Sequence, residues 1–498
     1  MKPGKILLFI LLVFLLFSCL MLVFPKNGII ISKNISIYFP DFEEIFSSKK
    51  QTYADISNII SDPLDSTKTV LNIDSLVNDT SKASGNALLK NIRKIEYPNN
   101  NISILYPIFQ SLYKLKEANE LIRIMHYGDS QIEGDRITGF LRFKLQAKFG
   151  GCGIGLMQLV NATPSASLAE SVTDNCVKYT LIGKSVPKLG HSRYGALLGF
   201  ARFSNAFQDS TSADSTHFFQ GSIFVNKSSQ GYANTRDFQK LRIFYGFNKK
   251  DVKLNLLANK ELLSSEILPS NKDLNVFEYD FKKSPSSLTM QFKGKDSPDI
   301  YGFALDANKG IAVDNIPLRG SSGYGFAQMN FDFLKKFYEL LNVKLVIMQF
   351  GVNAVPENEK TIVPDYAYYE KGFYNQLKTI KSINKDICVI VIGISDRSRK
   401  AGDNYETNPN IEKIRKAQKN AAFRANCAYW DLFEAMGGEN SMPSWVFANP
   451  ALANKDFTHF NEKGARLVAE MFYNALIYDY LQYLKLSESG IGKIALNK

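Results

Sequence analysis

The run Ile387-Cys-Val-Ile-Val-Ile-Gly-Ile394 constrains this 498-residue chain more than any other stretch. Eight residues without charge or polar alternation do not suit a strand with one face in water. They suit a strand covered on both faces, as in a parallel sheet flanked by helices. The surrounding pattern agrees. Residues 121–127, 343–350 and 427–432 read as further strands, while 132–149, 331–341, 366–383, 411–426 and 462–486 carry apolar residues at helical spacing. Such alternation gives a parallel, three-layer α/β domain. Between 166 and 310 the pattern changes. Short alternating segments such as 222–225, 241–245, 252–256, 276–281 and 288–292 are separated by Asn, Lys, Ser and Gly. They predict an antiparallel β-sandwich inserted after the first strand–helix unit.

The amino terminus sets the compartment. Lys2 and Lys5 precede residues 6–24, which carry no charge. As a helix this run covers about 28 Å, close to the ~30 Å hydrocarbon core of a bilayer. The basic flank leaves the N-terminus in the cytoplasm and exports the rest. The expectation is a transmembrane anchor over 1–24, holding the body at the inner membrane on the periplasmic or outer side. A cleaved signal that releases a secreted body, or lipidation at Cys19, would export the same body. Residues 25–100 carry nine Lys/Arg and nine Asp/Glu and read as a polar tether. The α/β domain then occupies 101–165 and 311–498. The net charge of +12 is diffuse, with +5 of it in 166–310 and no basic run of nucleic-acid type. It fits mild attraction to an anionic polymer or membrane surface. Five Cys without a Cys-x-x-Cys pair, and four His, exclude a disulfide scaffold and a His-rich metal centre. Cys152 and Cys176 bracket the start of the insert, and their pairing stays open.

Four stretches carry chemistry. Gly128-Asp-Ser-Gln131 lies at a strand-to-helix turn, where a Ser nucleophile has its N–H at a helix start. Asp456-Phe-Thr-His459 precedes the last helix, and Asp and His three apart can face one point, with Asp fixing the imidazole tautomer. Phe350-Gly-Val-Asn353 ends a central strand with an amide that can donate to an oxyanion. Arg319-Gly320-Ser-Ser-Gly323 offers a backbone N–H without a Cβ beside it. Alone, each stretch also has a plain reading as a cap or a turn.

Together, and in this order, they resemble the four blocks of the SGNH (GDSL-type) hydrolases, whose flavodoxin-like α/β/α sandwich carries each block at a strand end. The resemblance covers about 100–165 and 311–485. It implies Ser130 as nucleophile, His459 as general base and Asp456 as the residue orienting it, with Ser130 N–H, Gly320 N–H and the Asn353 side chain as oxyanion hole. It implies no metal and no organic cofactor. Gln131 stands where the usual motif has Leu, and the third block lacks the Asp that often follows Asn. The inserted sandwich resembles, in topology only, the carbohydrate-binding-module-like insert of bacterial peptidoglycan O-acetylesterases. That likeness implies an exported O-acetylesterase acting on acetylated glycan, whether peptidoglycan or a surface polysaccharide. An O-acetyltransferase working with a membrane acyltransferase uses the same acyl-serine, and a non-catalytic carbohydrate-binding scaffold is the remaining alternative.

Other residues have simpler readings. Glu133 and Asp135 suit the first turn of a helix, with Arg136 pairing one of them. His126 reads as structural, and Cys388 and Cys427 as buried thiols. Trp430, Trp445, Tyr324 and Phe326 are candidates for a sugar platform, with core packing the simpler role for Trp430. Asp396-Arg397 follows the central strand and is placed at the mouth of the site, in reach of substrate.

Overall fold

The computed structural model describes residues 3–25, 29–32, 35–37, 39, 52–60, 92–182, 189–204, 218–358 and 361–488. The rest of the tether expected over 25–100 lies outside them. The chain divides into two compact units, Met1–Thr52 and Tyr53–Lys498. The first holds the helix Pro3–Val23, whose 21 residues are long and apolar enough to cross a membrane. A short antiparallel pair, Ile29–Ser32 with Ile35–Ile37, follows.

The second unit is built on a five-stranded parallel sheet. Its order is Gly310–Pro317, Leu121–Gly128, Val343–Gln349, Cys388–Ile392 and Ala428–Trp430. Side chains alternate between its faces, as the pleat requires. Ile122, Ile124, Leu345, Ile347, Ile390 and Ile392 pack with the helices Tyr106–Lys114, Thr138–Phe149 and Glu462–Glu488. Met125, Tyr127, Val346, Met348, Val389 and Val391 pack with Phe331–Leu340, Ala367–Ile383 and Ile411–Arg424 on the opposite face. These are the three layers read from the sequence. Part of the stretch ahead of residue 100 also enters this packing. Ile56 and Ile95 are buried in the core, and Glu96 exchanges two backbone hydrogen bonds with Tyr429 on the outer strand of the sheet.

Two antiparallel sheets make up the insert. One has the order Glu261–Leu268, Val252–Ala258, Ser287–Gly294, Phe219–Lys227 and Leu168–Val172. The other runs Leu274–Asp280, Lys240–Gly246, Asp299–Asp306, Gly199–Arg202 and Val177–Thr180. Gly155–Met157, ahead of the expected boundary at 166, pairs with Asp299–Asp306. Ile223, Leu254, Met290 and Phe292 meet Leu241, Ile243 and Phe303 between the sheets. The second sheet buries its outer face as well. Phe244 lies 5.2 Å from Phe337, and Tyr301 5.0 Å from Phe333, both on the helix Phe331–Leu340. Arg123 bonds Asp306 and Asp314 at 2.5 Å each, fully buried where the chain leaves the sandwich and re-enters the parallel sheet.

One helix differs from the sequence reading. The long helix expected at 132 begins at Thr138. Ser130–Asp135 is a short 3-10 turn broken at Glu133 (ψ 152°) and Gly134 (φ 69°). Ser130 therefore sits on a tight turn rather than over the N-terminus of a long helix.

Candidate active site

The expected site residues converge at the carboxyl ends of three neighbouring strands. In register, Gly128 lies opposite both Pro317 and Gln349, so the turns after these strands are adjacent. Asp129 ties two of them together. Its Oδ1 accepts the Gln131 N–H at 3.0 Å. Burial pushes its carboxyl up to about 7, opposed by hydrogen bonds from the Gln131, Val352 and Gly351 amides.

Ser130 Oγ is 2.7 Å from His459 Nε2, and His459 Nδ1 is 2.8 Å from Asp456 Oδ2. Asp456 Oδ1 accepts the backbone N–H groups of Thr458 and His459, each at 3.0 Å. Partial burial works against the Asp456 charge. The hydrogen bonds from His459 and Thr458 outweigh it and hold the carboxyl below its ordinary value. The turn between them passes through Phe457 at φ 53°, a conformation a bulky residue adopts only when its surroundings enforce it. Here Tyr405 stacks on the Phe457 ring at 3.5 Å between centroids, from a hairpin of Ser398–Ala401 and Asn404–Thr407. Asp456 and His459 are 49% and 30% exposed, so the site opens directly to solvent.

The other two blocks face each other. Leu318–Ser321 is a turn closed by Ser321 N–H to Leu318 O at 2.9 Å, with Gly320 at φ 77°. A Cβ on Gly320 would meet open space. The backbone angle, rather than close approach, is what calls for glycine there. Asn353 follows Gly351, where φ is 135° and a Cβ would press on Ile394 at 2.8 Å. One N–H of the Asn353 amide goes to Ser321 O at 3.1 Å, leaving its second for another acceptor.

Several simpler readings change. Arg136 feels the Glu133 charge, but its direct bonds go elsewhere. Its three nitrogens bond main-chain carbonyls: Nε to Glu133 O (2.9 Å), Nη1 to Phe460 O (2.8 Å) and Nη2 to Ser130 O (3.0 Å). Arg142 takes Asp135 at 2.6 and 3.1 Å, and Arg319 lies 3.6 Å from Glu133. Gln131, standing where the usual motif has Leu, donates to Thr458 O at 2.7 Å and accepts from Phe460 N–H at 3.4 Å. Asp396 does not face the mouth: it is buried, bonding Thr407 Oγ1 and Met442 N–H at 2.8 and 2.7 Å, and burial pushes it up to about 6. Arg397 reaches Val352 O at 3.1 Å. Trp430, Trp445 and Phe326 are fully buried core residues and cannot form a sugar platform; Tyr324 is half-buried. His126 is buried between Gln349 Oε1 (3.0 Å) and Thr138 Oγ1 (2.9 Å), and burial drives it down to about 4. Cys152 and Cys176 are free thiols, and Cys388 and Cys427 are buried.

Comparison with known proteins fits this architecture. Residues 286–467 match the GDSL-like Lipase/Acylhydrolase family model. Among solved structures, one of a peptidoglycan O-acetylesterase superposes with a TM-score of 0.59 at 22% identity, over 77% of this chain and 98% of that one. An acetyl xylan esterase, AlAXEase, is 18% identical over 33% of this chain and 81% of its own, with a TM-score of 0.26. A family two carbohydrate esterase from Clostridium thermocellum is 9% identical over 53% and 93%, at 0.23. No curated protein matches the sequence. The chain has an SGNH-type α/β fold interrupted by antiparallel sheets, and its residues 286–467 are similar to the GDSL-like acylhydrolases.

Proposed function

We propose that this protein is an exported serine esterase that removes O-acetyl groups from cell-wall or surface polysaccharide. The observation that carries the reading is the relay from Ser130 Oγ through His459 to Asp456, 2.7 and 2.8 Å long, beside the Gly320 and Asn353 turns. His459 Nε2 takes the Ser130 proton as Oγ attacks the acetyl carbonyl. Charge developing on the carbonyl oxygen is met by Ser130 N–H, Gly320 N–H and the second N–H of Asn353. The sugar hydroxyl leaves with the proton from His459. Water, deprotonated in turn by His459, attacks the acetyl-serine; acetate departs and Ser130 regains its proton.

Two features support a polymeric substrate. The exposure of His459 and Asp456 leaves room for a chain passing over the site, and a peptidoglycan O-acetylesterase shares this fold over 98% of its length. The apolar helix Pro3–Val23 supports an anchor at the inner membrane with the body in the periplasm. The decisive experiment incubates the purified body with a chromogenic acetyl ester and with O-acetylated peptidoglycan. Wild type releases acetate and Ser130→Ala does not. Equal release by both removes Ser130 from the mechanism, and acetyl groups appearing on an added glycan identify a transferase.

A further inference from the structure

We infer that Gln131 and Arg136 are positioning residues that fasten the nucleophile's turn to the histidine's loop, so that the Ser130–His459 contact is formed before substrate arrives. The inference rests on the functional reading above. Ser130 and His459 are 329 positions apart in the chain, and His459 lies on an exposed loop outside any long element. Asn454 N–H to His459 O and Asn461 N–H to Leu452 O shape the loop, and Ser398 N–H to Phe457 O with Tyr405 stacked on Phe457 tie it to the neighbouring hairpin, but none of these contacts reaches the Ser130 turn. Its direct fastening to the Ser130 turn comes from two side chains of that turn. Gln131, almost fully buried, donates from Nε2 to Thr458 O and to Ser395 Oγ, and its Oε1 accepts from Phe460 N–H. Arg136 donates to Phe460 O with one terminal nitrogen and to Ser130 O with the other. The backbone is thus gripped immediately before His459, at Thr458, and immediately after it, at Phe460. The same guanidinium holds the carbonyl of the nucleophile itself.

The chemistry of the grip suits the task. A guanidinium is planar with donors in a fixed fork, so bonding two carbonyls at once sets both distance and direction. An ammonium on a flexible stem cannot bridge the same atoms with that constraint. A displacement of about 1 Å between reacting groups costs on the order of 100-fold in rate. Loosening this bridge therefore acts on turnover more than on binding, because neither side chain is placed to touch the acyl group.

The test uses Gln131→Leu, which keeps the bulk and removes every bond, and Arg136→Lys, which keeps the charge and removes the fork. With a chromogenic acetyl ester, kcat is expected to fall about tenfold or more in each, with KM within about twofold. The rate of labelling by a serine-reactive phosphonate should fall in parallel, while the fraction of molecules finally labelled equals that of wild type. Unchanged turnover per labelled molecule in both variants, with any loss of activity explained by a smaller labelled fraction, would mean a merely structural role and overturn the proposal. If Arg136→Lys does not fold, Gln131→Leu decides by the same measurements. Ser130→Ala separates the two levels: if it remains active the functional reading fails, whereas an inert Ser130→Ala beside unaffected Gln131 and Arg136 variants refutes the positioning role alone.

Discussion

Replacing Asp456 by Asn tests the proposed relay with almost no change in shape. Asp456 Oδ1 already accepts two backbone N–H groups, and Oδ2 faces His459 Nδ1 at 2.8 Å. The carboxylate makes Nδ1 the protonated nitrogen and leaves Nε2 as the acceptor for the Ser130 hydroxyl. In the variant the amide oxygen is held by the same two N–H groups, so the NH₂ points at Nδ1. Nδ1 must then carry the lone pair, the proton moves to Nε2, and Nε2 can no longer take the Ser130 proton. Flipping the amide would forfeit two hydrogen bonds of about 1 kcal/mol each and set donors against donors. A wrong tautomer of this kind lowers kcat by about 10⁴ in a serine–histidine–aspartate triad. Because this carboxylate is half-exposed, water competes for Nδ1, and the expected loss is roughly 10³–10⁴-fold, or ~4–5.5 kcal/mol of transition-state stabilisation. The assay is kcat on a chromogenic acetyl ester, with circular dichroism as the check on folding. A folded Asp456→Asn enzyme within tenfold of wild type would refute the tautomer argument.

Other expectations reach into the fold and the compartment. Burial raises Asp129 to about 7 from 3.8, so between pH ~4 and 7 the folded protein holds a proton that the unfolded chain has released. Stability should fall as pH rises through that window, by up to ~4 kcal/mol. His126, driven down to about 4, tilts the same window the other way, so the useful quantity is a difference: the urea midpoint of Asp129→Asn should gain on wild type from pH 5 to 8, and a constant gap would contradict the assignment. Phe337→Ala removes the ring that meets Phe244 and Tyr301 and should cost about 3–5 kcal/mol. Urea unfolding should stay a single transition, since a separate step for the sandwich would mean that its packing on the α/β body is weak. Deleting residues 1–24 should move the protein from the membrane pellet to the supernatant with the body still active; continued sedimentation would argue against the anchor.

What the sequence made legible follows from where each signal is stored. The strand Cys388–Ile392 and the helices Phe331–Leu340, Ala367–Ile383 and Ile411–Arg424 lie within two residues of their expected bounds, because periodic apolar burial is written locally. The strand Gly310–Pro317 was missed. It carries Asp314 and Asn315, whose partners Arg123 and Thr138 lie far away in the chain and make those polar groups tolerable in a buried strand. The early break at Glu133–Gly134 was hidden by apolar spacing that suited a helix from 132. The candidate site blocks could be picked out because each carries its own chemistry, three of them in the turns that follow strands and the fourth in the loop before the last helix. Gln131 and Arg136 could not, because side-chain pairing in sequence seeks a carboxylate, and these two side chains bond the main chain of residues more than 300 positions away.

The insert explains another limit. The family match spans the Gly320, Asn353, Asp456 and His459 blocks and omits Ser130, since the sandwich separates Ser130 from Gly320 by 190 positions. In the sheet the same two turns are neighbours, with Gly128 opposite Pro317. A sandwich packed through Phe244 and Tyr301 onto the helix Phe331–Leu340 can therefore be accommodated without parting the strands that build the site. The split in the sequence is absorbed at the opposite end of the sheet, where Arg123, Asp306 and Asp314 hold the join. Strand register, rather than chain proximity, is what sets the Ser130 and Gly320 turns side by side.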